Sequence, residues 1–169
     1  FAFLKNFVRD EAIGSVGTFF TFYAGAAIAL RVVLGWVPDR LGPKRVLHPS
    51  LGAIGAAMAA LALARDDTGV AVAGVLAGVG HGYVFPILSA LVVQRANPAD
   101  RGSAVALFTA VFDAGIVLGG PLLGTVAGAE EHWRRMYFVA AAVPLVGAFV
   151  FHFWDRAATR AAPRPGSER

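Results

Sequence analysis

Residues 70–93 read VAVAGVLAGVGHGYVFPILSALVV, 24 positions without a formally charged side chain. As an α-helix such a run measures about 36 Å, enough to cross a hydrocarbon core roughly 30 Å thick. It is too long for a strand and lacks the alternation that a transmembrane barrel strand requires. Lipid offers no partners to backbone N–H and C=O groups, so the stretch reads as a membrane-spanning helix that satisfies them internally.

Working outward, four more runs meet the same length: Val16 to Val37, Val46 to Ala64, Ser103 to Gly128 and Met136 to Trp154. The 169-residue chain is 57% hydrophobic and 15% charged, whereas a soluble domain is nearer half apolar and a quarter charged. The fold class expected is an all-α polytopic membrane bundle. Connections of about five to ten residues make consecutive helices antiparallel neighbours in one compact unit, residues 1–156. The opening FAFLKNFV is too short to span and lacks the layout of a signal peptide; it reads as the last turns of a helix whose upstream part is missing. The closing AATRAAPRPGSER, residues 157–169, is small, polar and Pro-containing and is expected to be a disordered tail.

Charge placement gives an orientation. Arg40, Lys44, Arg45, Arg95, Arg101, Arg156, Arg160, Arg164 and Arg169 share one side, nine in all. Lys5, Arg9, Arg65, Arg134 and Arg135 share the other, with Asp10, Glu11, Asp66, Asp67, Glu130 and Glu131 beside them. Nine against five puts the first side, and the C-terminus, in the cytoplasm. The net charge of +4 is thus topological, and nucleic-acid binding is not expected. The absence of Cys excludes disulfides and thiolate chemistry. Thirteen Arg against two Lys, with abundant Ala and Gly, suggest a GC-rich bacterial source, and hence an inner-membrane protein. Glycine recurs at four-residue spacing in Gly74, Gly78 and Gly82, in Gly115 and Gly119, and in Gly120 and Gly124. Such stripes let helices approach closely, so the third and fourth spans are expected to pack tightly or bend.

Between the first two spans runs Gly35-Trp36-Val37-Pro38-Asp39-Arg40-Leu41-Gly42-Pro43-Lys44-Arg45. It resembles the signature loop of the major facilitator superfamily at Gly35, Asp39, Arg40, Gly42, Lys44 and Arg45, with Pro43 where that family usually has a basic residue. Read physically, Gly-Pro enforces a tight reversal. Asp39 suits pairing with Arg or with a helix N-terminus, and Lys44 and Arg45 suit an anionic leaflet; a positive-inside turn with one solvated ion pair accounts for the same residues. The fourth span holds Gly115-Ile116-Val117-Leu118-Gly119-Gly120-Pro121-Leu122-Leu123-Gly124, similar to the family's antiporter motif at a repeat-equivalent position. The resemblance covers nearly the whole chain and is nearest to bacterial drug-efflux and sugar-efflux members. It implies helices eight to twelve of a twelve-helix fold, preceded by the end of helix seven. It also implies alternating access of two six-helix halves around a central small-molecule site, which needs helices of the N-terminal half as well.

Three ionisable residues fall within spans, where they are costly and point to function: Arg31, His81 and Asp113. Asp113 lies near the bilayer midplane on a small, partly polar face with Ala106, Thr109, Gly120 and Gly124, a face expected to line a cavity or a partner helix. Two arrangements are open for it: unpaired, it suits reversible protonation; paired with Arg31, it stays charged and serves structure or gating. Arg31 alternatively snorkels to the interface. His81, between glycines and ahead of Pro86, suits proton shuttling or substrate binding, or is a buried histidine bonded to a carbonyl or to Tyr83. Tyr23, Phe85 and Phe112 either line a cavity or simply pack. His48, His132 and His152 sit at span ends, isolated from other possible metal ligands. No metal cluster, nucleophile motif or phosphate loop is visible, so no cofactor and no enzyme activity are expected. The leading expectation is a proton-coupled exporter of a small organic molecule. An uncoupled facilitator and a non-transporting scaffold or sensor are the alternatives. An intramembrane enzyme would need His81 and Asp113 within hydrogen-bonding reach.

Overall fold

The computed structural model describes residues 1–128 and 132–161, with side chains through Asp155. Among these residues every regular element is a helix. A short α1 (Leu4–Asp10) precedes α2 (Val16–Leu34), α3 (Val37–Leu41), α4 (Pro43–Leu63) and α5 (Asp67–Arg95). A 3-10 turn, Pro98–Asp100, then leads into α6 (Arg101–Ala127) and α7 (Trp133–Ala161). Five of these, α2, α4, α5, α6 and α7, are long and apolar enough to cross a membrane.

Local chemistry sets the boundaries. Ser15 caps α2 by accepting from the Thr18 amide at 2.9 Å, and Asp66 caps α5 by accepting from the Gly69 amide at 2.8 Å. Gly42, at φ +90°, reverses the chain so that Pro43 opens α4. The first span ends at Leu34 instead of Val37, because Pro38 starts a separate helical turn at Val37. At the far end the backbone of residues 157–161 continues α7, which corrects the expectation of a disordered tail from Ala157. Ala157, Ala158 and Ala161 are the strongest helix formers and no proline intervenes before Pro163. Residues 162–169, and the Glu130 and Glu131 of the charge comparison, lie outside the described residues.

Glycine arranges the helices around α5. A Cβ placed on Gly74 would come within 2.5 Å of the Phe19 carbonyl oxygen, and one on Gly78 within 2.3 Å of the Tyr23 carbonyl oxygen. The stripe on α5 therefore carries the backbone of α2. On another face a Cβ at Gly80 would meet Ile54 Cγ1 at 2.5 Å and the Ser50 carbonyl oxygen at 2.8 Å. That face carries α4, whose Gly55 in turn receives α7 near the Ala141 carbonyl oxygen. The result is a row, α2–α5–α4–α7, in which each contact is a close approach at a glycine, tightest where α5 meets α2 and α4.

Two apolar clusters fill the row, one toward each end. Leu4, Phe7, Phe19, Leu61, Val70 and Met136 belong to the first, and Leu30, Leu47, Tyr83, Ile87 and Leu91 to the second. The α6 helix is more loosely held, meeting mainly the edges of α5 and α7, and Ala127 is its one buried residue. Around its glycines Gly115, Gly119 and Gly120 the space is open, with nothing within 4 Å of where a Cβ would lie. The glycines of the third span thus lie in close helix contacts, while Gly115, Gly119 and Gly120 of the fourth do not. The physical reason is that a cavity lies between these glycines and the residues facing them, Met58 of α4 and Tyr137 of α7 among them.

Because the added carbons would collide with main chain, Gly78→Val should destabilise the protein by about 1–3 kcal/mol. Thermal unfolding in detergent should show a lowered Tm for that variant. The Tm of Gly102→Ala, where an added carbon meets nothing, should stay within error of the parent.

Candidate functional site

The signature loop occupies one end of the bundle, in the turn between α2 and α4. Trp36 donates its indole N–H to the Val33 carbonyl at 3.1 Å, and Arg40 lies 4.7 Å over the Trp36 ring. Asp39 stands in the first turn of α3 and makes no side-chain hydrogen bond or ion pair among the described residues. Gly35 closes against the Arg31 carbonyl, where a Cβ would sit at 2.5 Å.

Lys44, one residue past Pro43, leaves the loop and donates to Asp155 of α7 at 2.7 Å. Arg95, at the end of α5, donates to the other oxygen of the same carboxylate. One acid thus ties the ends of three spanning helices, 111 positions from Lys44 and 60 from Arg95. The reading by motif missed Asp155, and its only sequence signal is a lone carboxylate at the foot of an apolar run on the arginine-rich side. The rings of His48 and His152 lie 5.6 Å apart, and His48 Nδ1 bonds the Lys44 carbonyl at 2.9 Å. They share with Lys44, Arg45, Phe151 and Asp155 the lining of a groove of about 460 Å³. Among the described residues no group of side chains could hold a metal ion.

The opposite end is tied in the same way. Arg134 of α7 donates through Nε and Nη2 to one oxygen of Glu11, at 2.9 and 2.7 Å, and through Nη1 to the Ala62 carbonyl at 2.8 Å. Trp133 donates to Asp10 at 3.0 Å, and Asp67 accepts from the Ser15 amide and the Thr18 hydroxyl, both at 2.9 Å.

The three ionisable residues within the spans are not brought together. Arg31 and Asp113 lie on exposed faces of α2 and α6, helices that pack on α5 and not on each other, and neither forms a hydrogen bond or ion pair among the described residues. Among the described residues Arg31 and Asp113 are therefore not paired with each other. His81 bonds the Ala77 carbonyl one turn earlier, at 3.0 Å, and packs between Phe1 and Tyr23 at 5.6 and 5.8 Å. Tyr83 instead donates to the Leu34 carbonyl at 2.6 Å. Phe85 packs on Phe108 and Phe112, so these rings contact one another as α5 meets α6. Gly115, Gly119 and Gly120 of the antiporter-like run border a cavity of about 250 Å³ with Phe1, Met58 and Tyr137, while Gly124 meets the Phe3 ring. Pro121 lies inside α6 without ending it.

A family model described as Major Facilitator Superfamily matches residues 5–169. The chain belongs to the major facilitator superfamily. It is 36% identical over 117 residues to the 3-(3-hydroxy-phenyl)propionate transporter of Escherichia coli K12, a match that covers 68% of this chain and 28% of that protein. It is 30% identical over 137 residues to a probable triacylglyceride transporter of Mycobacterium bovis, covering 79% of this chain and 26% of the relative. To the multidrug resistance protein MdtG of Dickeya zeae it is 25% identical over 169 residues, covering 87% of this chain and 41% of the relative. Members of this family are transporters and not enzymes. No solved structure matches. The chain spans well under half the length of these relatives. In this facilitator chain the motif positions Gly35, Asp39, Arg40, Gly42, Lys44 and Arg45 sit at one end of the bundle, remote from the glycine run of α6.

The Glu11–Arg134 contact joins a carboxylate to a two-pronged guanidinium at partly exposed side chains, so its worth is modest. A double-mutant cycle with Glu11→Gln and Arg134→Gln, read by chemical unfolding in detergent, should return a coupling of about 0.5–1 kcal/mol. The same cycle on Asp39 and Arg40, which do not pair, should return none within error.

Proposed function

We propose that this chain is the C-terminal part of a secondary active transporter that exports a small organic molecule in exchange for protons by alternating access. The observation that carries the reading is where its polar groups lie. The interior of the bundle is glycine, aliphatic and aromatic packing, while Asp113 and Arg31 occupy faces turned away from it, on helices apolar enough to be embedded in lipid. Ionisable groups on such faces are stable only against water or a second protein surface. A further set of helices packed against α2, α5 and α6 provides that surface, and a central site between two bundles follows from the general architecture of repeated transporters. The family match and the five spanning helices support transport; the MdtG relative, named for multidrug resistance, supports export. The propionate relative supports a small organic substrate.

In this reading Asp113 takes up and releases the coupled proton, His81 is a secondary candidate for the relay, and Arg31 tunes the charge of the site. The signature loop and the Lys44–Asp155–Arg95 tie hold one end of the bundle rigid while it rocks. The arginine excess at that end supports its placement on the cytoplasmic side of a bacterial inner membrane, C-terminus inward.

The full-length protein in proteoliposomes tests this directly. An imposed proton gradient should drive substrate flux, and Asp113→Asn should abolish gradient-driven flux while sparing substrate counterflow. Flux that is indifferent to the gradient would leave an uncoupled facilitator. No flux under any gradient would overturn transport itself.

A further inference from the structure

Asp155 separates two grooves at the signature-loop end of the bundle. Beside the histidine-lined groove lies another of about 380 Å³, which shares Phe151 and Asp155 and adds Arg95, Val150 and Trp154. Lys44, Arg45 and Arg95 supply three positive charges around one carboxylate. Binding to Asp155 leaves further N–H donors on Lys44 and on Arg95, and Arg45 makes no side-chain hydrogen bond among the described residues.

The apolar part of the same place is ordered. Gly147, Val150, Phe151 and Trp154 recur at helical spacing and form one stripe down α7, starting at the cations and running toward the middle of the span. Val150 is 52% exposed and Trp154 75%. A tryptophan at the end of a span belongs at the headgroup level of the bilayer. Cations at that level above an apolar channel suit a ligand with an anionic head and a hydrocarbon tail, and basic pockets between transmembrane helices hold such headgroups.

We propose that the paired grooves bind an anionic phospholipid, its phosphate held by Lys44, Arg45 and Arg95 and an acyl chain lying along Val150 and Trp154. A water-soluble anion would use the cations and leave the α7 stripe without a role. The proposal does not depend on transport, since it uses none of the residues given a role in proton coupling, Asp113, His81 and Arg31.

The test is a titration of the full-length protein in detergent with phosphatidylglycerol and, separately, phosphatidylcholine, read as bound lipid by native mass spectrometry. Phosphatidylglycerol should be retained in preference to phosphatidylcholine. Arg45→Gln, which breaks no side-chain hydrogen bond among the described residues, should weaken its binding about fivefold, and Trp154→Ala should weaken it as well. Arg65→Gln, in the turn at the opposite end, should leave it unchanged. Equal retention of the two lipids, equal effects of Arg45→Gln and Arg65→Gln, or indifference to Trp154→Ala would overturn the proposal. Displacement of phosphatidylglycerol by equimolar inorganic phosphate would also overturn it, in favour of a small-anion site.

Discussion

The arrangement depends on the carbonyl oxygens of Phe19 and Tyr23 coming to rest where the side chains of Gly74 and Gly78 would otherwise be. In lipid the hydrophobic effect does not push helices together, so association rests on the dispersion contacts that close approach provides. The α5 helix offers small residues on two faces and thereby receives α2 on one and α4 on the other. The remaining row follows from that choice, down to Gly55 of α4, which repeats the device for α7. Only α6 is outside the scheme, and it is the spanning helix with the least buried surface.

Charge then fixes what glycine packing leaves free. Helices in close contact along their length still slide and rotate, and register is set at the ends, where polar groups meet water. At one end a single carboxylate, Asp155, is bracketed by Lys44 and Arg95; at the other a single guanidinium, Arg134, is bracketed by Glu11 and a carbonyl. Both ties converge on α7, so the helix at the edge of the row is held at its two extremities. The signature loop takes part through Lys44, while Arg40 rests on Trp36.

Much of this was legible in residue order. Apolar run length marked out the five spans, since the bilayer imposes that length regardless of packing, and boundaries moved by only a few residues where Pro38 or Trp133 set a local start. The glycine stripe of α5 was legible because spacing alone puts Gly74, Gly78 and Gly82 on one face. The ties were not. Asp155 and Lys44 are 111 positions apart, and charge counts assign sides without assigning partners. The same limitation left the partner of Asp113 open: matching depth along two helices says nothing about whether those helices are adjacent. The glycines of α6 read like those of α5, because spacing reveals a face suited to contact and not which surface meets it.

Arg134 commits three donors to groups far behind it in the chain, Glu11 and the Ala62 carbonyl lying 123 and 72 positions earlier. Synthesis proceeds from the N-terminus, so both acceptors are already in place before their donor has left the ribosome. Until α7 is inserted, that carboxylate and that helix end must be hydrated, and the bundle stays open at this rim. Of the five spans the one that enters the membrane last is therefore the latch of the array, closing it against the turn that precedes the first.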